Sequence, residues 1–215
     1  MLNCIYGALH RYFRQIGAGN MEQARENVRV QLMEKAAEFF AKNGYAATKL
    51  ADIAKETGVS RGPLYYYFAD KSALYIETTR HTIEKQKASF AQIFDSGKPV
   101  EEIMREEFDL CLRINGQFFY KEANVEGVPD VSGMVKEYTD WLIARKRHLF
   151  EGARARGELR PDCNIAEMIS MIYVFFYGIT SVRDLARTSD GFDSYMLEHT
   201  TDYYMQMMKE RFLAR

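Results

Sequence analysis

Cysteine and proline are scarce in this chain of 215 residues, with three of the first and four of the second. Cys4, Cys111 and Cys163 lie far apart, are odd in number and make no CxxC, which excludes a disulfide framework and a zinc ribbon and fits a reducing cytoplasm. So few prolines, with only fourteen glycines, also exclude collagen-like or long disordered stretches. Long apolar runs are missing too. The longest uncharged stretch, Met168 to Val182, has fifteen residues, against about 20 needed to span a bilayer, so it reads as a buried helix and no membrane is expected among the partners. Near the start, Arg11 and Arg14 follow the apolar positions instead of preceding them, the wrong order for a signal peptide. There is no GxGxxG and no P-loop, and His10, His81, His148 and His199 have no neighbours at metal-ligand or triad spacing. The expectation is therefore no catalytic residue, no metal and no cofactor: not an enzyme.

An excess of one charge is lacking as well, the net being -1. Beneath that total, residues 21–80 carry nine Lys/Arg against eight Asp/Glu, and residues 81–215 carry eighteen against twenty-two. A bulk polycation is excluded. Any nucleic acid must be held by a small local surface whose geometry matters more than its total charge.

What the chain does contain is helical periodicity. From Arg25 to Lys42, Val28, Leu32, Ala36, Phe39 and Phe40 recur at three-to-four-residue steps. Punctuation follows at Asn43-Gly44, Gly58, Asp70, Ser96 to Pro99, Gly127 to Asp130, Gly157 to Pro161 and Ser189 to Gly191. Between these marks the spacing predicts helices over 72–95, 100–123, 130–156, 163–187 and 192–213, and strand-like alternation is almost absent. The fold class is all-α. Residues 1–20 show no clear period. Gly17-Ala18-Gly19 can be encoded by a purine-rich run of the ribosome-binding kind just ahead of Met21, so this extension is read either as non-native or as a mobile arm.

Residues 45–71 carry the chemistry. They predict two short helices, 49–57 and 61–67, with Thr48 as N-cap, Ile53 and Ala54 inward, Gly58 as the left-handed residue ending the first helix and Val59 in the corner. Leu64, Tyr67 and Phe68 return to the core, leaving Arg61, Gly62, Pro63, Tyr65 and Tyr66 outside. This is a helix-turn-helix pattern. Pro63 has no N–H for a Ser60 cap, so the Ser60 hydroxyl is left for the Gly62 amide or a phosphate. Arg61 suits a guanine edge or a phosphate, Gly62 allows close approach, and Tyr65 and Tyr66 combine a flat apolar face with a hydroxyl. Thr48 and Lys71 open flanking helices whose positive ends favour phosphate oxygens.

The run Gly58-Val-Ser-Arg-Gly-Pro-Leu-Tyr-Tyr-Tyr-Phe-Ala-Asp-Lys-Ser-Ala-Leu, preceded by Ala36-Ala-Glu-Phe-Phe-Ala-Lys-Asn-Gly-Tyr-Ala-Ala-Thr, resembles the TetR family of bacterial transcriptional regulators. The likeness covers about residues 30–76. It implies an N-terminal three-helix DNA-binding domain, here 21–80, and a helical domain, here 81–215, that holds a small molecule and dimerises. It further implies repression of transcription relieved by that molecule, with double-stranded DNA, an unidentified effector and a second copy of the chain as partners. Thr48, Lys49, Ser60, Arg61, Gly62, Pro63, Tyr65, Tyr66 and Lys71 fall where such regulators touch DNA. Two positions depart from the pattern: Pro63 stands where Thr or Ala is more frequent, and Ala69 where a basic residue is frequent.

Residues 100–187 are rich in large apolar side chains interrupted by Asn115, Gln117, His148 and Arg183, as an apolar cavity with a few polar handles requires. The expected lining is Cys111, Phe118, Trp141, Tyr173 and Tyr177. The runs 163–187 and 192–213 are the expected dimer elements, since their apolar faces exceed what one partner helix covers. A ligand-independent architectural or activating helix-turn-helix protein is the alternative, and it predicts a solidly packed C-terminal half.

Overall fold

The computed structural model describes residues 18–58, 61–114, 128, 131–186 and 199–214. Among these residues the chain is helical, with one isolated antiparallel bridge and no strand. It divides into two compact units, residues 1–83 with 116–134 and residues 84–115 with 135–215.

In the first unit, α1 (Ala18–Ala47) begins three residues ahead of Met21 and is broken at Gly44, whose φ of 74° and ψ of 169° lie outside helical space. It is followed by α2 (Leu50–Glu56), α3 (Arg61–Tyr67) and the start of α4 (Lys71–Phe94). Leu32, Met33, Ala36 and Phe40 bring one buried stripe of α1 against Ile53 and Ala54 of α2, Leu64 and Phe68 around α3, and Leu74 and Tyr75 of α4. Tyr75 sits edge-on to Phe40 at 4.8 Å and to Tyr45 at 5.0 Å. Arg29 of α1 pairs with Glu77 of α4 and lies 6.0 Å from the centre of the Phe68 ring. Asp70 caps α4 by accepting the Ala73 N–H at 2.8 Å.

The second unit holds the remainder of α4, α5 (Val100–Ile114), most of α6 (Val131–Ala155), α7 (Ile165–Ala186) and α8 (Thr200–Phe212). The expected helices over 100–123 and 192–213 are described only as 100–114 and 200–212, and the rest of each range lies outside the described residues. Phe108 of α5 stacks on Tyr204 of α8 at 4.2 Å, and Phe175 of α7 closes on both, at 5.6 Å and 5.4 Å. Three helices are thereby joined by three rings. Asn164 caps α7 through the N–H groups of Ala166 and Glu167. The Val100 N–H donates to Glu158 at 2.5 Å. Partial burial pushes the Glu158 carboxyl up, but this donor and Arg156 outweigh it and hold the group below the usual carboxylate range. Leu159 and Leu213 form the antiparallel bridge, with the Arg160 N–H on the Phe212 carbonyl and the Ala214 N–H on the Glu158 carbonyl, each at 2.9 Å.

Gly58, with φ of +67°, takes the left-handed conformation that the sequence assigned to it, and a side chain there would meet no atom within 4 Å. Its cost is thus purely one of backbone. Gly58→Ala is expected to lower the free energy of unfolding by about 1 kcal/mol in urea titration, and a variant as stable as the parent would refute the assignment.

Candidate nucleic-acid interface

A helix of seven residues has too few internal hydrogen bonds to persist by itself. α3 is held instead by Leu64, which is fully buried, and by Phe68, buried just past its end, while the Phe68 N–H extends the helical pattern onto the Leu64 carbonyl at 3.0 Å. Anchoring that face turns the other outward. Tyr65 and Tyr66 stand 48% and 63% exposed. Tyr67 is half-buried between them and the core, edge-on to Tyr66 at 5.2 Å. Arg61, Gly62 and Pro63 form the first turn of α3, but their side chains, like the whole of Ser60 and Val59, lie outside the described residues.

Behind α3, Ile53 and Ala54 of α2 are buried, and the Thr57 hydroxyl donates to the Ile53 and Ala54 carbonyls, both at 3.1 Å, closing the end of α2 before Gly58. At the other end of α2 the expected cap is not made. Helix geometry starts at Leu50, so the N-cap position falls on Lys49, which is exposed and makes no capping bond. Thr48 is buried, and its hydroxyl donates to the Gly44 carbonyl at 2.7 Å and lies 3.2 Å from that of Phe39. The hydroxyl therefore ties off the end of α1 instead of the start of α2.

Lys71 is similarly engaged within the unit. Its ammonium donates to the Ala46 carbonyl at 3.1 Å and rests 4.4 Å above the centre of the Tyr45 ring, and burial pulls its pKa below the ordinary lysine value. At the same helix start, Asp70 accepts the Ala73 N–H. Of the expected flanking contacts, Lys49 remains exposed.

Residues 32–78, which hold α2, α3 and the packing that presents them, match the family profile described as bacterial regulatory proteins, tetR family. Over that segment the chain is similar to TetR-family regulators. It is similar to the A-factor receptor protein of Streptomyces griseus, 26% identical over 156 residues that cover 71% of this chain and 54% of that one. It is also similar to the fatty acid metabolism regulator protein of Bacillus subtilis, 25% identical over 162 residues covering 71% and 81%. The chain thus spans about half of the first relative and four-fifths of the second. A TetR transcriptional regulator from Chloroflexus aurantiacus shares the fold, with a TM-score of 0.74 at 19% identity over 90% of this chain and all of that one. These relatives are named as regulators and a receptor, not as enzymes.

Of the residues expected to line an effector site, three come together in the second unit. Tyr173 of α7 stacks on Tyr177 at 6.3 Å, and Cys111 of α5 lies within electrostatic reach of Tyr173. Tyr177 itself is 49% exposed. Trp141 instead stacks on Tyr138 at 6.4 Å, and Phe118, Asn115 and Gln117 lie outside the described residues, as does the Arg183 side chain. His148 is exposed, because its position on α6 faces away from the buried stripe of Leu142, Lys146, Phe150 and Ala153.

That stripe contains what sequence reasoning missed. Lys146 is buried among apolar residues and its ammonium lies against Glu107 of α5, the two side chains being 5% and 2% exposed. The ammonium also sits 4.8 Å from the centre of the Tyr173 ring. Burial opposes the Lys146 charge, yet Glu107 more than offsets it and holds the pKa above the ordinary value. Burial pushes the Tyr173 phenol up to about 12. A signal existed in the sequence: helical phase puts Glu107 between Met104, Phe108 and Cys111, and Lys146 between Leu142 and Phe150, where a charge has no reason to be unless it is matched.

Thr48→Val keeps the shape of the side chain but strips the Gly44 carbonyl of its donor. A loss of about 1 kcal/mol in thermal unfolding is expected, with unchanged stability counting against the tie between α1 and Thr48.

Proposed function

We propose that this chain is a ligand-responsive transcriptional repressor that binds a near-palindromic operator as a homodimer, with α3 as the reading helix. The observation that carries the reading is the pair of outward tyrosines on a helix whose other face is fully buried. Tyrosine tolerates water but gains most where its ring is covered and its hydroxyl bonded. A DNA major groove does both, and an α-helix fits its width. Arg61 and Gly62, one turn earlier on α3, complete a short reading head, and Lys49 supplies a backbone contact.

For the second copy, the support lies on α7 and α8. Val174, Tyr177 and Tyr203 are 68%, 49% and 41% exposed. Beside them runs an open groove of about 490 Å³ lined by Met171, Tyr203 and Met207, flanked by Glu167 and Arg211. Two such faces related by a two-fold axis would cover each other. The dimer then sets two reading helices about 34 to 36 Å apart. A ligand that favours a state with a different spacing releases the DNA, and its differential affinity for the two states sets the size of the effect. Being similar to a protein named a receptor supports the ligand-responsive part.

Footprinting on the DNA flanking the chain's own gene, repeated across salt concentrations, is expected to show a near-palindromic protected site whose affinity falls steeply as salt rises. Arg61→Ala and Tyr66→Ala should each weaken binding by about 1 to 3 kcal/mol. Binding indifferent to both sequence and salt would refute the proposal. In light scattering, Val174→Glu is expected to convert a dimer of the parent chain into a monomer, and a parent that is already monomeric would remove the homodimer from it.

A further inference from the structure

The second unit shuts one positive and one negative side chain away from water and leaves polar atoms beside them unanswered. The Tyr173 hydroxyl is buried with no hydrogen-bond partner, and the carboxylate of Glu107, in contact with Lys146, makes no well-formed hydrogen bond. Glu107 and Cys111 are one turn apart on α5, and Lys146 and Tyr173 approach from α6 and α7. The surroundings, Met104, Phe108 and Tyr204, are apolar and buried. Structural burial alone does not account for this arrangement, since a buried ion pair stabilises no better than packed apolar residues of the same volume and an unmet buried hydroxyl destabilises.

From this cluster we infer that Glu107, Lys146 and Tyr173 form the polar end of the effector site, and that the effector is an uncharged, largely apolar molecule bearing a hydroxyl group, an alcohol or a phenol. The inference rests on the ligand-responsive reading above. Charge balance decides the class. An anion drawn to Lys146 would leave Glu107 without its counter-charge, and a cation drawn to Glu107 would strand Lys146, each in surroundings where an unmatched charge is far more costly than in water. A hydroxyl leaves the pair intact. Its oxygen accepts from the Tyr173 O–H, its own hydrogen is donated to a Glu107 oxygen, and its apolar body lies against the rings of Phe108 and Tyr204. A ligand without that hydroxyl gives up both bonds, so the site selects for the group and not only for size.

The test uses the full chain and three probe series with alkyl tails from ethyl to octyl: 4-alkylphenols, 4-alkylbenzoates and 4-alkylbenzylamines, followed by calorimetric titration. Saturable binding of a phenol is expected, with the acid and the amine of equal tail length weaker by about tenfold or more. Tyr173→Phe should weaken the phenol by a similar factor. The double variant Glu107→Leu with Lys146→Met removes both charges at once, so no unpaired ion is left to unfold the unit. It should melt no lower than the parent, retain operator binding and lose preference for the phenol. Benzoate or benzylamine binding as tightly as the phenol, phenol binding untouched by both variants, or no saturable binding in any series would overturn the inference. If the phenol binds as expected but leaves the operator complex intact, the site stands and the ligand-responsive repressor reading fails. If the operator is not bound in the absence of any probe, the repressor reading fails independently of the binding data.

Discussion

The shortest helix of the first unit exists only because its neighbours hold it. Seven residues of α3 do not repay the ordering of their own backbone, so its conformation is borrowed from the burial of Leu64 and Phe68 against α1, α2 and α4. That dependence fixes much else. The left-handed residue at Gly58 ends α2 ahead of it, Ala54 is buried on the turn below, and the Phe40–Tyr45–Tyr75 ring cluster stiffens the floor. Exposure of Tyr65 and Tyr66 is then not a local preference of tyrosine. It is what remains when the other side of a two-turn helix has been claimed by the core.

Much of this was legible in the sequence, for a definable reason. Helix spans follow from the recurrence of apolar residues, which is a property of each segment alone, and the spans 61–67, 71–94 and 131–155 agree with that reading to within a residue at either end. Gly58 was legible because only its conformation was at issue. Thr48 and Lys71 were less so. Both were placed by the roles their residue types favour at helix starts, yet each finds a better partner elsewhere in the unit: Thr48 the carbonyl of Gly44, four residues back, and Lys71 the carbonyl of Ala46 and the ring of Tyr45, some 25 residues away. Side-chain direction depends on such encounters, and a linear pattern does not contain them.

The residues expected to line an effector site repeat the lesson in reverse. Aromatic content pointed to Tyr173, Tyr177 and Trp141, but rings at helical spacing are the ordinary filling of a core, and Trp141 stacks on Tyr138. The more informative residues were the two charges out of phase with their helices. Each stands out on the apolar face of its own helix, but the two lie on different elements and nearly forty positions apart, so that they answer each other is not visible until the fold sets them face to face. Between the units the chemistry also differs in kind. The first unit presents exposed groups on a well-packed base, while the second keeps polar groups inside, among the clustered rings of Phe108, Phe175 and Tyr204.

The small bridge between Leu159 and Leu213 bears on how the protein can be handled. The Arg160 N–H and the Glu158 carbonyl find their backbone partners in Phe212, the final residue of α8, and Ala214, two residues on. Glu158 is also the residue that receives the first N–H of α5. A cut in the chain ahead of Leu213 would loosen that loop and, through it, the start of the helix that carries Glu107.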